Sequence, residues 1–317
     1  PTSGSSSWPE RGRPNRTSRP ARSLDGPLAM ASAEMELDLT RREVVEGLLR
    51  RHHLRPEKRL GQNFLIDREA LEKVVAAAEL RPDDTVLEVG AGLGTLTRRL
   101  AQAAGRVLAV EYDRRLEPVL RETVGSADGV EIIIADILRL DVSRLIGPAA
   151  YQVVANIPYQ ITSHLIRRLL EADAPPKRLV LTVQREVAER ILAAPGDMNL
   201  LALGVQAYGE ARLMARLAAS SFYPSPRVDS AILRIDLRQP ARLTPDQSRS
   251  IFRLARAGFA QPRKKLRNSL GAGLHLSPGE VEGRLRRLGV SPDDRAENLG
   301  LTDWERLAAG WESEGPP

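Results

Sequence analysis

The sequence predicts an α/β protein, in which helices cover both faces of a mostly parallel sheet and a small all-α domain follows. Short apolar runs recur between residues 85 and 183, and helical patterns lie between them. Such runs are typical of parallel strands in βαβ units. After residue 239 the runs stop and helix-initiating signals replace them. The 317 residues, 42% of them hydrophobic, are enough for about two domains.

The composition excludes several classes of protein. Because the chain has no cysteine, it cannot be a disulfide scaffold, hold a thiolate metal site or use a cysteine nucleophile. That absence fits a reducing compartment, and we expect a cytoplasmic protein. No run approaches the roughly 18 apolar residues that a membrane span needs. A net charge of +6 and a pI near 9.9 favour a polyanionic partner.

Residues 1–39 are predicted to be an extension outside the folded domains. The first 29 residues are rich in Pro, Ser, Gly and Arg and have no apolar period, so we expect disorder. Three origins remain open: an over-read of the gene upstream of a start at Met30 or Met35, a transit peptide, or a nucleic-acid-binding tail. We expect activity to survive deletion of residues 1–29.

Residues 40–238 are predicted to form the sheet domain, whose strands end in residues suited to ligand binding. Right-handed crossovers bring the carboxyl ends of parallel strands to one edge, where open α/β sheets bind ligands. The runs and the residues that close them are Thr85–Val89 with Gly90, Arg106–Val110 with Glu111, Ile132–Ala135 with Asp136, Tyr151–Ala155 with Asn156, and Leu179–Val183 with Gln184.

The first two strand ends indicate a nucleoside-containing cofactor. The glycine-rich turn Gly90–Gly94 lets a ligand approach the backbone and the next helix N-terminus. Glu111 can accept hydrogen bonds from both hydroxyls of a ribose. NAD and S-adenosylmethionine both fit this pair. NAD is disfavoured, because the third glycine of the dinucleotide fingerprint is replaced by Thr95 and no hydride-transfer constellation is visible.

The segment Asn156-Ile157-Pro158-Tyr159 suits methyl transfer to an exocyclic amine. Such an amine is a poor nucleophile, because its lone pair is delocalised into the ring. Two acceptors, the Asn156 side-chain carbonyl and the backbone carbonyl beside Pro158, would let the nitrogen pyramidalise, and Tyr159 can stack on the base. Holding the amine near a sulfonium methyl supplies proximity and orientation. Direct transfer requires neither a metal nor a covalent enzyme intermediate, so we expect no metal site.

Taken together, these motifs resemble the rRNA adenine N6-dimethyltransferase family over roughly residues 54–311. The resemblance implies a Rossmann-like S-adenosylmethionine-dependent methyltransferase domain followed by a helical domain. The matching segments are Arg59–Leu65, Leu87–Thr97, Glu111–Asp113, Ala135–Asp136, Asn156–Tyr159, Gln184–Arg190 and Phe222–Ser230.

The resemblance implies a role for each cofactor-binding position. Asn63 and Leu65 would hold the methionine end of S-adenosylmethionine. Gly90 would lie against the cofactor. Glu111 would take the ribose hydroxyls, and Asp136 would accept from the adenine amine.

It also implies roles at the target base. Asn156, which is a cofactor-binding position as well, would hold the target amine together with Pro158. Tyr159 would stack on the target adenine, and Phe222 would close its other face. The adenine would have to leave its stack to reach this pocket.

Within the family, the chain most resembles the small-subunit branch. The implied reaction is N6,N6-dimethylation of two adjacent adenosines near the 3′ end of 16S rRNA, by a monomer acting on a 30S particle. Ile157 is common in the branch that methylates 23S rRNA and confers macrolide resistance, whereas Arg295–Leu299 resembles the small-subunit branch. A non-catalytic RNA-binding, assembly or mitochondrial transcription factor on the same fold is the third alternative.

Residues 241–317 are predicted to be a helical RNA-docking domain. Capping boxes are expected to open helices at Thr244–Gln247, Ser277–Glu280, Ser291–Asp294 and Thr302–Glu305. Residues 251–270 carry six positive charges and no acid, as phosphate contacts require. The candidate RNA-binding residues are Arg263, Lys264, Lys265 and Arg267.

Overall fold

A computed structural model describes residues 37–125 and 127–313. The predicted disorder of residues 1–29 and the alternatives for their origin lie outside the described residues. Among the described residues, those from Leu39 onward form one compact unit, to which Leu37 and Asp38 do not belong. None of the helices described is long and apolar enough to cross a membrane.

The predicted α/β architecture is confirmed. Seven strands form one sheet: β2 (Thr85–Val89), β3 (Arg106–Glu111), β4 (Val130–Ile134), β5 (Tyr151–Asn156), β6 (Arg178–Gln184), β7 (Gly209–Leu217) and β9 (Ser230–Leu237). Their order is β4-β3-β2-β5-β6-β9-β7, and the five from β4 to β6 run parallel. Chain order reverses between β2 and β5, which is where open α/β sheets form a ligand crevice.

Two antiparallel pairings lie at one side of the sheet, and the apolar-run pattern does not reveal their strands. Strand β9 pairs with β6 and with β7, the edge strand. Most β7 side chains are exposed or half-buried, so this strand lacks an apolar run. In β9 the run is broken by Arg234, which forms ion pairs with Glu79 and Asp236. A separate two-stranded sheet joins β1 (Phe64–Leu65) to β8 (Phe222–Tyr223).

Helices cover both faces of the sheet because each carries one apolar stripe. In α6, for example, Leu165, Ile166 and Leu169 are buried against the central strands. Helix α3 begins directly after Gly94 and points its N-terminus at the crevice. The helices of this part are α1 (Arg42–Arg51), α2 (Arg68–Ala78), α3 (Thr95–Ala103), α4 (Glu117–Val124), α5 (Val142–Ile146), α6 (Thr162–Leu170), α7 (Arg185–Ile191) and α8 (Leu200–Tyr208).

The C-terminal part is helical, and two of its four predicted capping boxes are confirmed. Thr244 and Ser277 each cap a helix in a complete box. The box at Ser291–Asp294 is wrong: its serine accepts from the Asp293 N–H within a turn. The box at Thr302 is wrong because the last helix already begins at Leu301. These helices are α9 (Pro245–Phe259), α10 (Leu266–Leu274), α11 (Pro278–Arg287) and α12 (Leu301–Ser313).

Helix α8 belongs to two apolar cores. Its Val205 packs in the core of the sheet, whereas Leu203 packs with the C-terminal helices around the fully buried Trp304. Just before α8, the Gly196 and Met198 N–H groups both donate to the carbonyl of Glu297, at 2.8 and 3.1 Å. Residues 196–208 therefore hold the sheet domain and the C-terminal helices together by packing and hydrogen bonds, in addition to the covalent link near residue 240.

Candidate active site

A cavity of about 300 Å³ opens at the carboxyl edge of the sheet, where the chain order reverses. We call it the edge cavity. Six of the residues predicted from the sequence line it, although they come from five separate segments. These six are Asn63, Gly90, Glu111, Asp136, Asn156 and Pro158.

The glycine-rich turn makes one wall of this cavity. Gly90 has φ +80°, and a Cβ there would lie 3.4 Å from the backbone oxygen of Asn156. Gly94 has φ +84°, and a Cβ would come within 2.7 Å of Thr123 Oγ1 on α4. Any other residue would be strained in both conformations. Gly90 therefore leaves the backbone accessible to a ligand, and Gly94 allows α4 to pack closely on the turn.

Glu111 places a buried carboxylate at the end of β3. Its Oε2 accepts from the Gly92 N–H at 2.8 Å, and its Oε1 accepts from the Asp113 N–H at 2.7 Å. Burial raises the pKa of Glu111, and the two N–H donors oppose that rise. Each carboxylate oxygen can accept a further hydrogen bond. The group is therefore a fixed acceptor for a pair of hydroxyls.

Asp136 provides a second carboxylate beyond β4. Its Oδ1 accepts from the Leu138 N–H at 2.9 Å, which fixes the side chain at the start of a turn. Its Oδ2 lies 3.5 Å from the guanidinium of Arg139, which is mostly exposed. Asp136 can therefore accept from an amine in the edge cavity.

Asn156 is oriented by the backbone of the N-terminal segment. Its Nδ2 donates to the carbonyl of Asn63 at 3.0 Å, which directs Oδ1 away from that carbonyl. The carbonyl of Pro158 accepts from the Ile161 N–H at 3.1 Å, closing a single 3-10 turn. The other carbonyl beside this proline belongs to Ile157, for which no hydrogen-bond donor is seen among the described residues.

Three of the predicted catalytic and cofactor-binding residues do not line the edge cavity. Leu65 and Phe222 are opposite each other across the β1–β8 pair, and both are buried in the apolar layer over the sheet. Tyr159 is half-buried, and its hydroxyl lies 2.9 Å from Ser230 Oγ. Burial raises the pKa of Tyr159, so this phenol is neutral at pH 7. The stacking roles of Tyr159 and Phe222 remain predictions.

A polar network that the sequence analysis missed connects the N-terminal segment to Glu111. Gln62 lines the cavity, accepts from the Glu57 N–H and donates to Asp113 Oδ2, both at 2.8 Å. The Asp113 carboxylate also binds the Arg115 guanidinium through two hydrogen bonds, of 2.9 and 2.7 Å. These bonds lower the pKa of Asp113. We call Gln62, Asp113 and Arg115 the latch.

Because the latch holds one wall of the cavity, Asp113→Ala should weaken cofactor binding. We expect the KM for the nucleoside cofactor to rise about tenfold with kcat changed less than threefold, since loss of a hydrogen bond to a charged group costs about 1.5–3 kcal/mol. Steady-state kinetics measure this split. The exposed Asp128 offers the control Asp128→Ala, which should leave KM unchanged. Equal losses in kcat and kcat/KM would show that Asp113 acts in the transition state instead.

A buried acid on β2 gives the fold an unusual pH dependence. Glu88 is 1% exposed, and its Oε2 has no hydrogen-bond partner in the described part of the chain. Burial, together with the nearby Glu111, raises the pKa of Glu88 to about 8. In the unfolded chain the same group ionises near 4.5. Because the unfolded state releases a proton that the folded state keeps, stability should fall between about pH 4.5 and 8.

Replacing Glu88 by glutamine should remove this loss. The wild-type protein is expected to lose on the order of 3 kcal/mol more unfolding free energy than Glu88→Gln between pH 5 and 8. Urea unfolding at both pH values measures the difference. Parallel pH profiles for the two proteins would show that Glu88 is already ionised at pH 5.

The basic segment of the C-terminal part divides into paired and unpaired cations. Lys265 and Arg267 both bind the Asp293 carboxylate, and Arg267 also lies near Glu282. Arg263 and Lys264 are exposed and have no ion-pair partner among the residues described. Acids distant in sequence thus reduce the charge that this segment presents.

The chain is similar in sequence to known proteins. Residues 53–310 match the ribosomal RNA adenine dimethylase family. The ribosomal RNA small subunit methyltransferase A of Dehalococcoides mccartyi is 43% identical over 284 residues, which are 89% of this chain and 96% of that protein.

Two solved structures match this chain over about four fifths of its length. The crystal structure of a dimethyladenosine transferase from Plasmodium falciparum has a TM-score of 0.69 and 27% identity, and the match covers 80% of this chain and 98% of that one. The crystal structure of the 23S rRNA methyltransferase ErmE has a TM-score of 0.63 and 30% identity, with 78% and 99% covered.

Proposed function

The chain belongs to the ribosomal RNA adenine dimethylase family, and on that premise we propose that it dimethylates small-subunit rRNA. The substrate would be two adjacent adenosines near the 3′ end of 16S rRNA in a 30S particle, and S-adenosylmethionine would supply the methyl groups. The observation that carries the proposal is the anchored amide of Asn156, at the mouth of a cavity that also holds Glu111. The 43% identity to the ribosomal RNA small subunit methyltransferase A of Dehalococcoides mccartyi supports the choice of small-subunit RNA.

The edge cavity fits S-adenosylmethionine in the chemistry of its donors and acceptors. Glu111 would take the two ribose hydroxyls and Asp136 the adenine amine, since both are fixed acceptors facing the cavity. Gly90 leaves room for the ligand against the backbone. Asn63 lines the opposite wall, and Leu65 would support it from the buried side. Bound there, S-adenosylmethionine supplies a methyl group on a sulfonium sulfur.

The residues after β5 would prepare the target amine. With Nδ2 donated to Asn63, Asn156 can turn Oδ1 to one N6 hydrogen. The carbonyl of Ile157 suits the second hydrogen, because the carbonyl of Pro158 is used within its own turn. The nitrogen would then pyramidalise and attack the methyl carbon. The N–C bond would form as the sulfonium C–S bond breaks, and the amine proton would leave to water.

The two predicted aromatic contacts would require different amounts of movement. Tyr159 is half-buried and next to the amine-binding residues, so a small rotation could present its ring to an adenine. Phe222 is 2% exposed and would need a shift of the short β8 strand to reach a base. We propose that Phe222 contacts the adenine only when the substrate is bound.

We also propose that the protein works as a monomer in the cytoplasm.

The C-terminal cations would hold the RNA backbone. We propose that Arg263 and Lys264 make phosphate contacts, with smaller contributions from Lys265 and Arg267, whose charges Asp293 partly neutralises. The double variant Arg263→Ala/Lys264→Ala should lower the slope of log K against log salt by about 1.5, at about 0.7–0.9 for each phosphate contact. Filter binding to 16S rRNA measures the slope. An unchanged slope would refute the assignment.

Transfer of labelled methyl groups tests the proposed function. The full chain would be incubated with labelled S-adenosylmethionine and with unmethylated 30S or 50S particles, and the labelled nucleotides would be mapped. We expect dimethyladenosine in 16S rRNA only. Label confined to 23S rRNA would favour the resistance type of enzyme, with which the ErmE match and Ile157 agree. RNA binding without label on either particle would indicate a non-catalytic factor.

A further inference from the structure

A second cavity, of about 260 Å³, lies between α6, α8 and α9. We call it the α6–α9 cavity. None of its lining residues belongs to the edge cavity or was predicted as a site residue. It is a little smaller than the roughly 300–1,000 Å³ pockets that enclose drug-sized ligands. Its size suits one planar ring system.

The floor of this cavity is apolar and partly aromatic. Helix α8 contributes one face that includes Leu200, Gly204 and Tyr208, and α9 contributes Phe252. Leu200 is 37% exposed, which is unusual for a leucine on an apolar face. A Cβ on Gly204 would meet nothing within 4 Å, so the space above this helical glycine is open. Glycine in a helix interior lowers helix stability by about 1 kcal/mol relative to alanine. At position 204 the lack of a side chain makes the cavity deeper.

The rim is positively charged. Arg190 and Arg256 are exposed and have no ion-pair partner in the described part of the chain. Arg167 is the third rim arginine, and it bonds to Glu171 at 2.9 Å. Two unpaired guanidinium groups around an aromatic floor match a base that carries a phosphate, because arginine binds phosphate and stacks on rings.

The two cavities are neighbours at the start of α6. Ile161 lines the edge cavity, and Ser163, two residues later, lines the α6–α9 cavity. A nucleotide bound in the α6–α9 cavity would therefore lie close in the chain to one that delivers its base to Asn156. The charge of the rim complements the phosphates of an RNA strand.

We propose that the α6–α9 cavity binds an unpaired nucleobase of the rRNA substrate, with its phosphate held by Arg190 and Arg256. This inference rests on the proposed function and adds an anchoring site that is separate from the target-base pocket. It makes Gly204, Phe252 and the two arginines determinants of substrate binding, with no part in methyl transfer.

Filling the cavity tests the proposal kinetically. Gly204→Leu places a side chain in the open space, where its Cβ meets no atom within 4 Å, and Gly204→Ala is the matched control that leaves most of the space empty. We expect Gly204→Leu to raise the KM for unmethylated 30S particles about tenfold, because stacking of one base is lost, with kcat and S-adenosylmethionine affinity unchanged. Arg256→Ala should act in the same direction, and Arg249→Ala, on the same helix outside the cavity, should not. Thermal melting checks that each variant is folded.

Because the chain has no cysteine, a single thiol can report occupancy directly. Gly204→Cys should react with a maleimide in the free protein and be protected by unmethylated 30S particles, whereas Asp128→Cys on an exposed loop should react equally with and without particles. A photo-cross-linker attached to the Gly204→Cys thiol should then join 16S rRNA, and a cross-link to a ribosomal protein instead would overturn the proposal. Lack of protection by 30S particles, or an unchanged KM for Gly204→Leu, would also overturn it. If wild-type protein methylates no 16S rRNA, the proposed function fails, while the protection assay still decides this inference.

Discussion

Asn156→Ala should bind S-adenosylmethionine nearly as well as the wild-type protein but lose at least about 100-fold in kcat, the scale seen when one positioned hydrogen-bonding group is removed from a reaction centre. The physical reason is the orientation of the amide. Its Nδ2 is held by the carbonyl of Asn63, so Oδ1 is fixed before the substrate arrives. With alanine at this position the target amine has only one hydrogen-bond acceptor, so the lone pair of its nitrogen stays delocalised in the ring.

Single-turnover methylation of 30S particles and calorimetric titration of the cofactor separate the two effects. Gln184→Ala is a suitable control, because Gln184 closes the adjacent strand β6 and does not line the edge cavity. It should keep kcat within a factor of about two, as expected for a residue outside the site. Full activity in Asn156→Ala would contradict the role assigned to this side chain.

Glu111→Ala should have the largest effect on the cofactor, raising its Kd about 100-fold, which corresponds to about 2.7 kcal/mol. The carboxylate is already held by the N–H groups of Gly92 and Asp113, so it can receive two hydroxyls without reorganising. Alanine removes the acceptor and leaves both N–H groups unpaired. Glu117→Ala, six residues later on α4, is the matched control and should bind the cofactor normally.

The pH dependence of cofactor binding gives an independent check on Glu111. Burial raises the pKa of this group, so the wild-type affinity should decline as the pH falls through that raised pKa and the carboxylate is protonated. In Glu111→Gln this decline should disappear, because the amide does not titrate there. Calorimetry between pH 5 and 8 measures both curves. A decline of equal size in Glu111→Gln would assign the titration to another group.

The strand ends at the edge cavity could be predicted because they follow a local rule. Each of Glu111, Asp136 and Asn156 directly follows an apolar run, and parallel strands bring such positions to one edge. The same rule could not find β7, because its side chains face solvent and show no apolar run. The antiparallel pairing of β9 with β6 depends on contacts between segments far apart in sequence.

The latch could not be predicted for a similar reason. Gln62 and Asp113 are 51 residues apart, and nothing in either local sequence indicates the partner. The resemblance to a family included both segments without showing that they touch. Long-range pairing also explains why the four candidate RNA-binding residues divide into two free and two partly neutralised cations: Asp293, which pairs with Lys265 and Arg267, lies beyond the end of α11.

The shared helix α8 has a consequence for protein engineering. A graft that exchanges the C-terminal helices at residue 240 would leave Leu203 and its apolar neighbours on α8 facing an unfamiliar surface, and would cut the bonds from Gly196 and Met198 to Glu297. A transplantable module must therefore include two separate pieces of chain, residues 196–208 and 241–313. If two relatives recombined at the linker near residue 240, α8 of one would have to pack on the C-terminal helices of the other, and the two apolar surfaces would not match. The C-terminal helices of this fold are therefore expected to evolve by substitution rather than by exchange.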